Sequence, residues 1–358
     1  MCNAKVIIPT GRIFAIGIAT ALGLATVANG QVWIQVTSEA PWAARYGHGC
    51  LAYDGRIWVF GGRDEDGNRL NDVWYSSDGE NWTIATPAAN WAPRVATCAV
   101  VHDGKMWVLG GLGVGDAWLN DVWWSTDGVS WTEATSAANW SGRYNRACES
   151  FNGKMWMLGG RADWSYVSDV WSSADGVTWV NENPSPGFPA TPAHGSVVFD
   201  EQMCIMGGGA GDLMDDIYCS TNGIDWALVT DNPGWTPRSY PEPVPYSNAI
   251  WIMGGDDAQE PPSCFKDVWH SADAASWSES AASPAPWRVR TNHAGVVFDN
   301  RIWVVGGFSQ PGGTYLNDVW YLTFTPIPAL SEWGVLGMTL LVLAAGTVVV
   351  LRRRVARA

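Results

Sequence analysis

Six pairs of glycine residues recur along this chain at intervals of 47 to 52 residues, and this period constrains the fold more than any other feature. A period of this length marks a supersecondary unit that stacks on copies of itself, because one unit alone cannot bury its apolar face. The pairs are Gly61-Gly62, Gly110-Gly111, Gly159-Gly160, Gly207-Gly208, Gly254-Gly255 and Gly306-Gly307.

Each repeat carries the pattern of a four-stranded antiparallel sheet. A short apolar strand such as residues 57–60 precedes the glycine pair, and a second strand such as residues 72–74 follows ten residues later. Dipeptides such as Asp54-Gly55 and Asp78-Gly79 accept the positive φ angles of two-residue hairpins, so they predict tight turns. We therefore expect a meander of four strands in each repeat.

The paired glycines, the period near 50 and the tryptophans that follow resemble the kelch repeat over residues 31–325. The resemblance implies an all-β fold, a six-bladed β-propeller with one repeat in each blade. The sixth repeat ends without a fourth strand, and residues 33–37 match the W-x-x-x-T pattern of residues 82–86. We expect this N-terminal strand to complete the last blade and close the ring, which removes two exposed sheet edges.

Residues 1–30 have the pattern of a signal peptide. Lys5 and Arg12 precede an apolar run over residues 13–27, and small residues follow just before Gln31. This pattern is typical of a segment that is removed after export. The alternative is a retained membrane anchor, for which the apolar run is short. The propeller domain is then predicted over residues 31–326.

Residues 327–358 form a third unit. Residues 334–351 are an uncharged stretch of 18 residues, long enough to span a bilayer, and the arginines that follow place the main body outside the cytoplasm. With the motif before it, this unit resembles the bacterial IPTL-type C-terminal sorting domain, although Ala329 stands where the family usually has Thr. The resemblance implies export across the inner membrane and cleavage by a membrane sorting protease, with anchoring, release or surface attachment as the result; the alternative is an ordinary single-pass anchor. The motif residues are Ile327, Pro328, Leu330, Glu332, Trp333 and Gly334.

The charge of the chain argues against nucleic-acid binding. The whole chain carries −14, and residues 31–326 carry 15 basic and 34 acidic side chains. A body this acidic repels phosphate backbones. We therefore expect a protein or glycan partner.

The candidate ligand-binding residues lie where the repeats differ. The loops between second and third strands share one face with the segments that link the blades, and binding residues are commonly found on such loops. A W-x-x-R motif recurs in five linking segments, with tyrosines beside three of the arginines, and such groups suit carboxylates, acidic sugars or acidic peptides. The alternative is that the arginines brace neighbouring blades through backbone carbonyls. The candidates are Arg45, Tyr46, Arg94, Arg143, Tyr144, Arg238, Tyr240, Arg290 and, in a variable loop, Trp164.

Three histidines, His48, His194 and His293, occupy the same position in their repeats. Imidazoles that converge on a channel can bind a metal, so these are weak candidates for a metal site. Their blades are not all neighbours, and we expect no cofactor. Copper, or calcium at residues 64–68, is the alternative.

The cysteines suggest one disulfide. Cys204 and Cys219 replace aromatic residues at two positions that are cross-strand partners within one blade. Outside the cytoplasm such a pair favours a disulfide, and two separate buried thiols are the alternative. Cys50, Cys98 and Cys148 lie in innermost strands and are interpreted as small core residues.

These observations favour an exported, non-enzymatic module that binds protein or glycan through its variable loop face, and no catalytic residue is assigned. The alternative is a carbohydrate-active kelch enzyme that resembles galactose oxidase, or a sialic-acid epimerase or sialidase. The sequence supplies no Tyr–Cys pair for the first and no catalytic carboxylate spacing for the second. A structural envelope protein without a discrete ligand is a third interpretation.

Overall fold

Each glycine pair follows the core of the second strand of a four-stranded antiparallel sheet, as the sequence predicted. A computed structural model describes residues 30–324, except residues 146, 210–211 and 260. The innermost strand of each sheet contacts the innermost strand of the next, and the sixth contacts the first. The chain is therefore an all-β propeller with six blades around a central channel.

The blades follow chain order, each from the innermost to the outermost strand. Blade 1 contains Gly49–Tyr53, Arg56–Phe60, Val73–Ser76 and Thr83–Thr86, and blade 2 contains Cys98–His102, Lys105–Gly113, Ala117–Ser125 and Thr132–Thr135. Blade 3 contains Ala147–Phe151, Lys154–Ala162, Ser165–Ser173 and Val180–Asn183, and blade 4 contains Gly195–Phe199, Gln202–Met206, Ile217–Ser220 and Ala227–Thr230. Blade 5 contains Glu242–Tyr246, Ala249–Met253, Val268–Ser271 and Ser278–Glu279, and blade 6 contains Ala294–Phe298, Arg301–Ser309, Thr314–Phe324 and Gln31–Thr37.

Short additional strands extend the sheets towards the loop face. Arg45–Tyr46 pairs with Arg63–Asp64 in blade 1, and Arg94–Val95 and Arg143–Tyr144 pair with the second strands of blades 2 and 3. A 3-10 turn, Val114–Asp116, connects the middle strands of blade 2. These pairings hold the linking segments beside the variable loops.

The tryptophans pack at the boundaries between blades. Six clusters of buried apolar residues each draw on two neighbouring blades, so the core is a ring of six interfaces. At the boundary of blades 6 and 1, Gly79 has a φ of 76°, and a side chain there would collide with the ring of Trp303. The Asp-Gly turns therefore supply both the hairpin and the space for the tryptophan of the preceding blade.

The N-terminal strand closes the ring, which confirms the prediction from the sequence. Gln31–Thr37 pairs antiparallel with Thr314–Phe324 and is the outermost strand of blade 6. Trp33 meets Trp287 edge to face, with 5.7 Å between the ring centroids. Trp42 and Trp82 make the same contact within blade 1, at 5.8 Å. Trp33 therefore supplies the tryptophan that the sixth repeat lacks.

The predicted signal peptide and the predicted sorting motif lie outside the described residues. Within residues 30–324, apart from the gaps given above, the structure contains no helix that is long and apolar enough to cross a membrane.

We expect Trp33→Ala to lower the free energy of unfolding by about 3 kcal/mol, because it leaves a cavity against Trp287. Ile34 is the neighbouring residue in the same strand and is 37 % exposed. Ile34→Ala is therefore the matched control, with an expected change of less than about 1 kcal/mol. Chemical denaturation measures both variants, and equal stabilities for the two would contradict closure by this strand.

Candidate functional site

The five arginines of the W-x-x-R motif are buried within their blades, with 0–1 % of their surface exposed. Arg94 shows the arrangement: its Nη1 and Nη2 atoms donate to the two carboxylate oxygens of Asp121 at 2.8 and 2.7 Å. Nη1 also donates to the carbonyl of Gly110, and the backbone carbonyl of Arg94 accepts a hydrogen bond from Gly62 of blade 1. The ion pairs are Arg45–Asp72, Arg94–Asp121, Arg143–Asp169, Arg238–Asp267 and Arg290–Asp318.

These contacts favour the bracing role that the sequence left open. A buried arginine with two bonds to one carboxylate has no surface from which to contact a ligand. The ligand-binding role of Arg45, Arg94, Arg143, Arg238 and Arg290 is therefore without structural support. The loop face has to be built from other residues.

A ring of backbone lies at the loop-face end of the channel. Its six residues, one from each blade, all have φ between 50° and 61°. Four of their N–H groups donate to the carbonyl of the equivalent residue in the preceding blade at 2.7–3.0 Å. Strained backbone of this kind persists where the surrounding structure enforces it, and it is common at functional sites. The ring consists of Gly47, Ala96, Asn145, Ala193, Tyr240 and Asn292.

Above this ring lies a basin of about 410 Å³, which we take as the candidate binding site. The three tyrosines selected from the sequence, Tyr46, Tyr144 and Tyr240, all line it. The ring of Tyr46 lies 5.7 Å from Phe308 and 5.5 Å from Tyr315, so one wall is aromatic. Burial raises the pKa of Tyr240, and its hydroxyl accepts a hydrogen bond of 2.7 Å from the Asn145 amide.

Two arginines of the basin were not selected from the sequence. Arg69 is paired with Asp116. Arg63 donates to the Tyr46 hydroxyl at 3.4 Å, while its Nε is buried with no hydrogen-bond partner. No carboxylate lies within ion-pair distance of Arg63 among the residues that the structure describes. The signal in the sequence is a comparison between repeats, because the position directly after the glycine pair is arginine in only two of the six.

Asp256 supplies a carboxylate on another wall of the basin. It is 6 % exposed and accepts hydrogen bonds from the Thr291 hydroxyl at 2.6 Å and the Ala258 N–H at 2.9 Å. Burial raises its pKa. A carboxylate with a raised pKa in a cleft is suited to proton transfer.

Trp164 is 71 % exposed and is connected through Trp118 to Tyr144, a residue of the basin. Its ring is 5.4 Å from Trp118, which in turn is 5.0 Å from Tyr144. The Arg161 guanidinium lies 5.2 Å from the Trp164 ring and donates to the Tyr144 hydroxyl at 3.1 Å. Trp164, which was selected from its variable loop, thus lies in a group of side chains that leads to the basin. Trp118 and Arg161 belong to the same group, and the sequence analysis did not select them.

The histidines pack between glycine pairs. His48 lies between Gly62 of its own blade and Gly306 of the preceding blade. His194 and His293 take the same place in blades 4 and 6, and burial lowers the pKa of all three, that of His48 to about 3. Across the described part of the chain, no three His, Cys, Asp or Glu residues form a group that could hold a metal.

Two glutamates line the channel below the ring, and sequence reasoning missed both. Glu149 accepts a hydrogen bond of 2.6 Å from the Ser196 hydroxyl, and Glu242 accepts one of 2.8 Å from the Gly295 N–H. Burial raises their pKa values to about 7 and about 8, and the charge of Glu149 adds to the rise at Glu242. A comparison between repeats would have found Glu149, because the equivalent residue in each of the other blades is Val or Leu.

The structure contains two disulfides. Cys204 and Cys219 are cross-strand partners in blade 4 and are joined, with their Cα atoms 4.1 Å apart. Cys98 and Cys148 are joined across the boundary of blades 2 and 3, with their Cα atoms 6.0 Å apart. The interpretation of these two as separate core residues was therefore wrong, because innermost strands of neighbouring blades converge at the channel. Among the described cysteines, Cys50 and Cys264 are free.

Comparison with known families identifies the class of protein. A model described as the KLHDC2/KLHL20/DRC7 Kelch-repeats domain matches residues 20–172, and a model described as the Kelch motif matches residues 290–324. The chain is a kelch-repeat β-propeller.

Solved structures show the same fold. A structure titled "Structure of YjhT" superposes with a TM-score of 0.67 at 15 % sequence identity, over 81 % of this chain and 100 % of that chain. A search of curated proteins found no match.

The channel glutamates make stability depend on pH. Their pKa values in the folded protein, about 7 and about 8, lie above the ordinary value of 4.5, so the folded state binds more protons than the unfolded state between these limits. The two glutamates therefore lower the free energy of unfolding progressively as pH rises from about 4.5 to 8. We expect Glu149→Gln and Glu242→Gln each to stabilise the protein at pH 8.5 by about 1 kcal/mol, well below full linkage because the side chains keep some exposure to the channel.

Glu182→Gln is the control. Lys154 lowers the pKa of Glu182, so this substitution should change the stability at pH 8.5 in the opposite direction. Denaturation at pH 5 and pH 8.5 gives the difference from the unaltered protein. A gain at pH 5 equal to that at pH 8.5 would show that the glutamate charge is not the cause.

Proposed function

We propose that the protein is a binding module that holds a carboxylate-bearing group of a protein or glycan in the loop-face basin. The observation that carries the proposal is Arg63, a guanidinium at an aromatic wall with a buried Nε that has no partner. An arginine in this state has unused donors for a planar anion.

The contrast with the bracing arginines supports this role. Those five side chains are each matched to a carboxylate, whereas Arg63 is matched only to the Tyr46 hydroxyl. In a chain of net charge −14, a cation beside an open basin creates a local attraction for anions. Kelch propellers are suited to binding proteins, and the aromatic wall also suits the flat face of a sugar ring.

A second candidate is a carbohydrate-active enzyme that uses the same basin. The buried carboxylate of Asp256 is the observation that favours it, because a carboxyl group with a raised pKa can donate and accept a proton. Tyr240 lies near enough for the charge of Asp256 to raise its pKa further. Conversion of a ligand, lost in Asp256→Asn, would select this candidate.

We also propose that the protein is exported and attached to the membrane or cell surface through residues 327–358, where a membrane sorting protease acts. Two disulfides support an oxidising compartment, since cytosolic proteins rarely keep them. The signal-peptide pattern of residues 1–30 points the same way.

The basin predicts selectivity for acidic over neutral sugars. We expect titration of the purified protein with glucuronate to change its intrinsic fluorescence, and titration with glucose to leave it unchanged. Arg63→Gln should weaken glucuronate binding about tenfold or more, the loss of a charge-assisted hydrogen bond. Arg301→Gln is the matched control, because its guanidinium lies 4.4 Å from the Tyr321 ring on the opposite face.

The same mixtures, followed by NMR, reveal any conversion of the sugar. An acidic peptide titrated in parallel covers the protein alternative. Equal affinity for glucuronate in Arg63→Gln and Arg301→Gln would remove Arg63 from the site.

Export predicts a defined mass and a defined thiol count. After expression in a Gram-negative host, we expect protein beginning at Gln31, with Cys98, Cys148, Cys204 and Cys219 protected from alkylation under denaturing, non-reducing conditions. Only Cys50 and Cys264 should be labelled. Protein made without residues 1–30 in the cytosol should label at all six cysteines. Full-length protein in the cytosolic fraction would contradict export.

A further inference from the structure

Blades 1 and 3 carry the same arginine–tyrosine pair on the loop face. In blade 1, Arg63 donates to the Tyr46 hydroxyl at 3.4 Å, and in blade 3 Arg161 donates to the Tyr144 hydroxyl at 3.1 Å. The arginine follows the glycine pair in both blades, and the other four blades have Leu112, Gly209, Asp256 and Phe308 at this position. Two of six repeats therefore share a device that the fold itself does not need.

Both arginines have unused capacity for an anion. The Nε atoms of Arg63 and Arg161 are buried and have no hydrogen-bond partner. Neither side chain has a carboxylate within ion-pair distance in the described ranges of the chain. The two pairs lie on either side of blade 2, so the loop face offers two separate positions for negative charge.

A line of aromatic rings leads from the basin to the second position. Tyr144 lines the basin, Trp118 of blade 2 lies 5.0 Å from it, and Trp164 lies 5.4 Å beyond. Arg161 lies 5.2 Å from Trp164 and 6.0 Å from Tyr144, so its charge is next to both ends of this line. We call the side chains of Trp118, Tyr144, Arg161 and Trp164 the rim platform.

The backbone at Trp164 is strained, and the ring is exposed. Asp163 and Trp164 form the tip of a hairpin and have φ values of 46° and 66°. Such turns favour Asn and Gly, and a bulky residue there adopts a strained conformation. A tryptophan that is both strained and 71 % exposed contributes little to folding, which is a sign of a contact with another molecule.

We propose that the ligand is a linear acidic oligosaccharide that runs from the basin across the rim platform. One carboxylate binds Arg63 in the basin, the next sugar ring lies against Trp118 and Trp164, and a second carboxylate binds Arg161. This inference rests on the proposed binding function and narrows its ligand to a glycan of repeated acidic units.

The surface around the rim platform argues against a protein at this position. A protein partner buries about 800 Å² on each side around an apolar core. Within the described chain, the exposed large apolar residues near the platform are Val114 and Tyr166, while the others lie on outermost strands or on the opposite face. Rings flanked by cations at two separate positions fit a narrow, regularly charged chain better than a broad interface.

The test is the dependence of affinity on chain length. Galacturonate and its di- and trisaccharides are titrated by calorimetry into the purified protein, and we expect the trisaccharide to bind about tenfold more tightly than the monosaccharide, or 1.4 kcal/mol. Trp164→Ala and Arg161→Gln should each abolish most of this gain. Trp164→Ala should also leave the affinity for the monosaccharide unchanged, because its ring contacts Trp118 and Arg161 rather than a residue of the basin. Val177→Ala, an exposed residue on the opposite face, is the control for an unspecific surface change.

Outcomes for the platform and the basin are separable. An equal affinity for all three lengths, with monosaccharide binding retained, would overturn the platform and leave the basin standing. If none of the saccharides binds, or if Arg63→Gln does not weaken their binding, both the basin and the platform are overturned. Oligoglutamates of the same lengths are titrated in parallel, and a length-dependent gain for them without one for the saccharides would replace the glycan with an acidic peptide. Circular dichroism of the variants verifies that they are folded.

Discussion

The ion pair between a linking-segment arginine and the aspartate at the start of a third strand holds each linking segment on its blade. Through its side chain, Arg94 binds Asp121 and Gly110 of its own blade, and through its carbonyl it binds Gly62 of the blade before. A buried charge of this kind is costly unless it is fully paired, so each linking segment has one favoured position on the blade that follows it. The ion pair recurs in five blades, and the N–H groups of Gly208 and Gly255 make the same inter-blade bond to the carbonyls of Arg238 and Arg290.

Blade 4 lacks the ion pair. Thr191 stands where the other blades have arginine, and Cys204 stands where they have a second-strand tryptophan. The same blade holds the Cys204–Cys219 disulfide between its middle strands. A covalent bond within the blade thus accompanies the loss of two noncovalent contacts. The disulfide between Cys98 and Cys148 joins blades 2 and 3, and both of these blades keep the arginine and the second-strand tryptophan.

Repetition explains what the sequence could predict. Period, turn dipeptides and the unmatched strand at residues 33–37 predicted six blades and their closure, because each signal was repeated or complementary. The same regularity misled the choice of arginines: Arg45 and its equivalents recur because they brace blades, while Arg63 and Arg161 are informative because they do not recur everywhere. Tertiary packing decides two features that no short motif encodes. One is the side to which a strand extension turns its residues, and the other is which innermost strands converge on Glu149.

The strand that completes blade 6 has a consequence for how the molecule comes into being. Gln31–Thr37 pairs with Thr314–Phe324, so the earliest part of the domain to be synthesised is partnered with the latest. Until the whole domain has emerged, the first strand has no neighbour and the last blade has an open edge. Contacts between such distant parts of a chain form slowly. The free energy that this closure contributes is therefore gained only after the final repeat has been made.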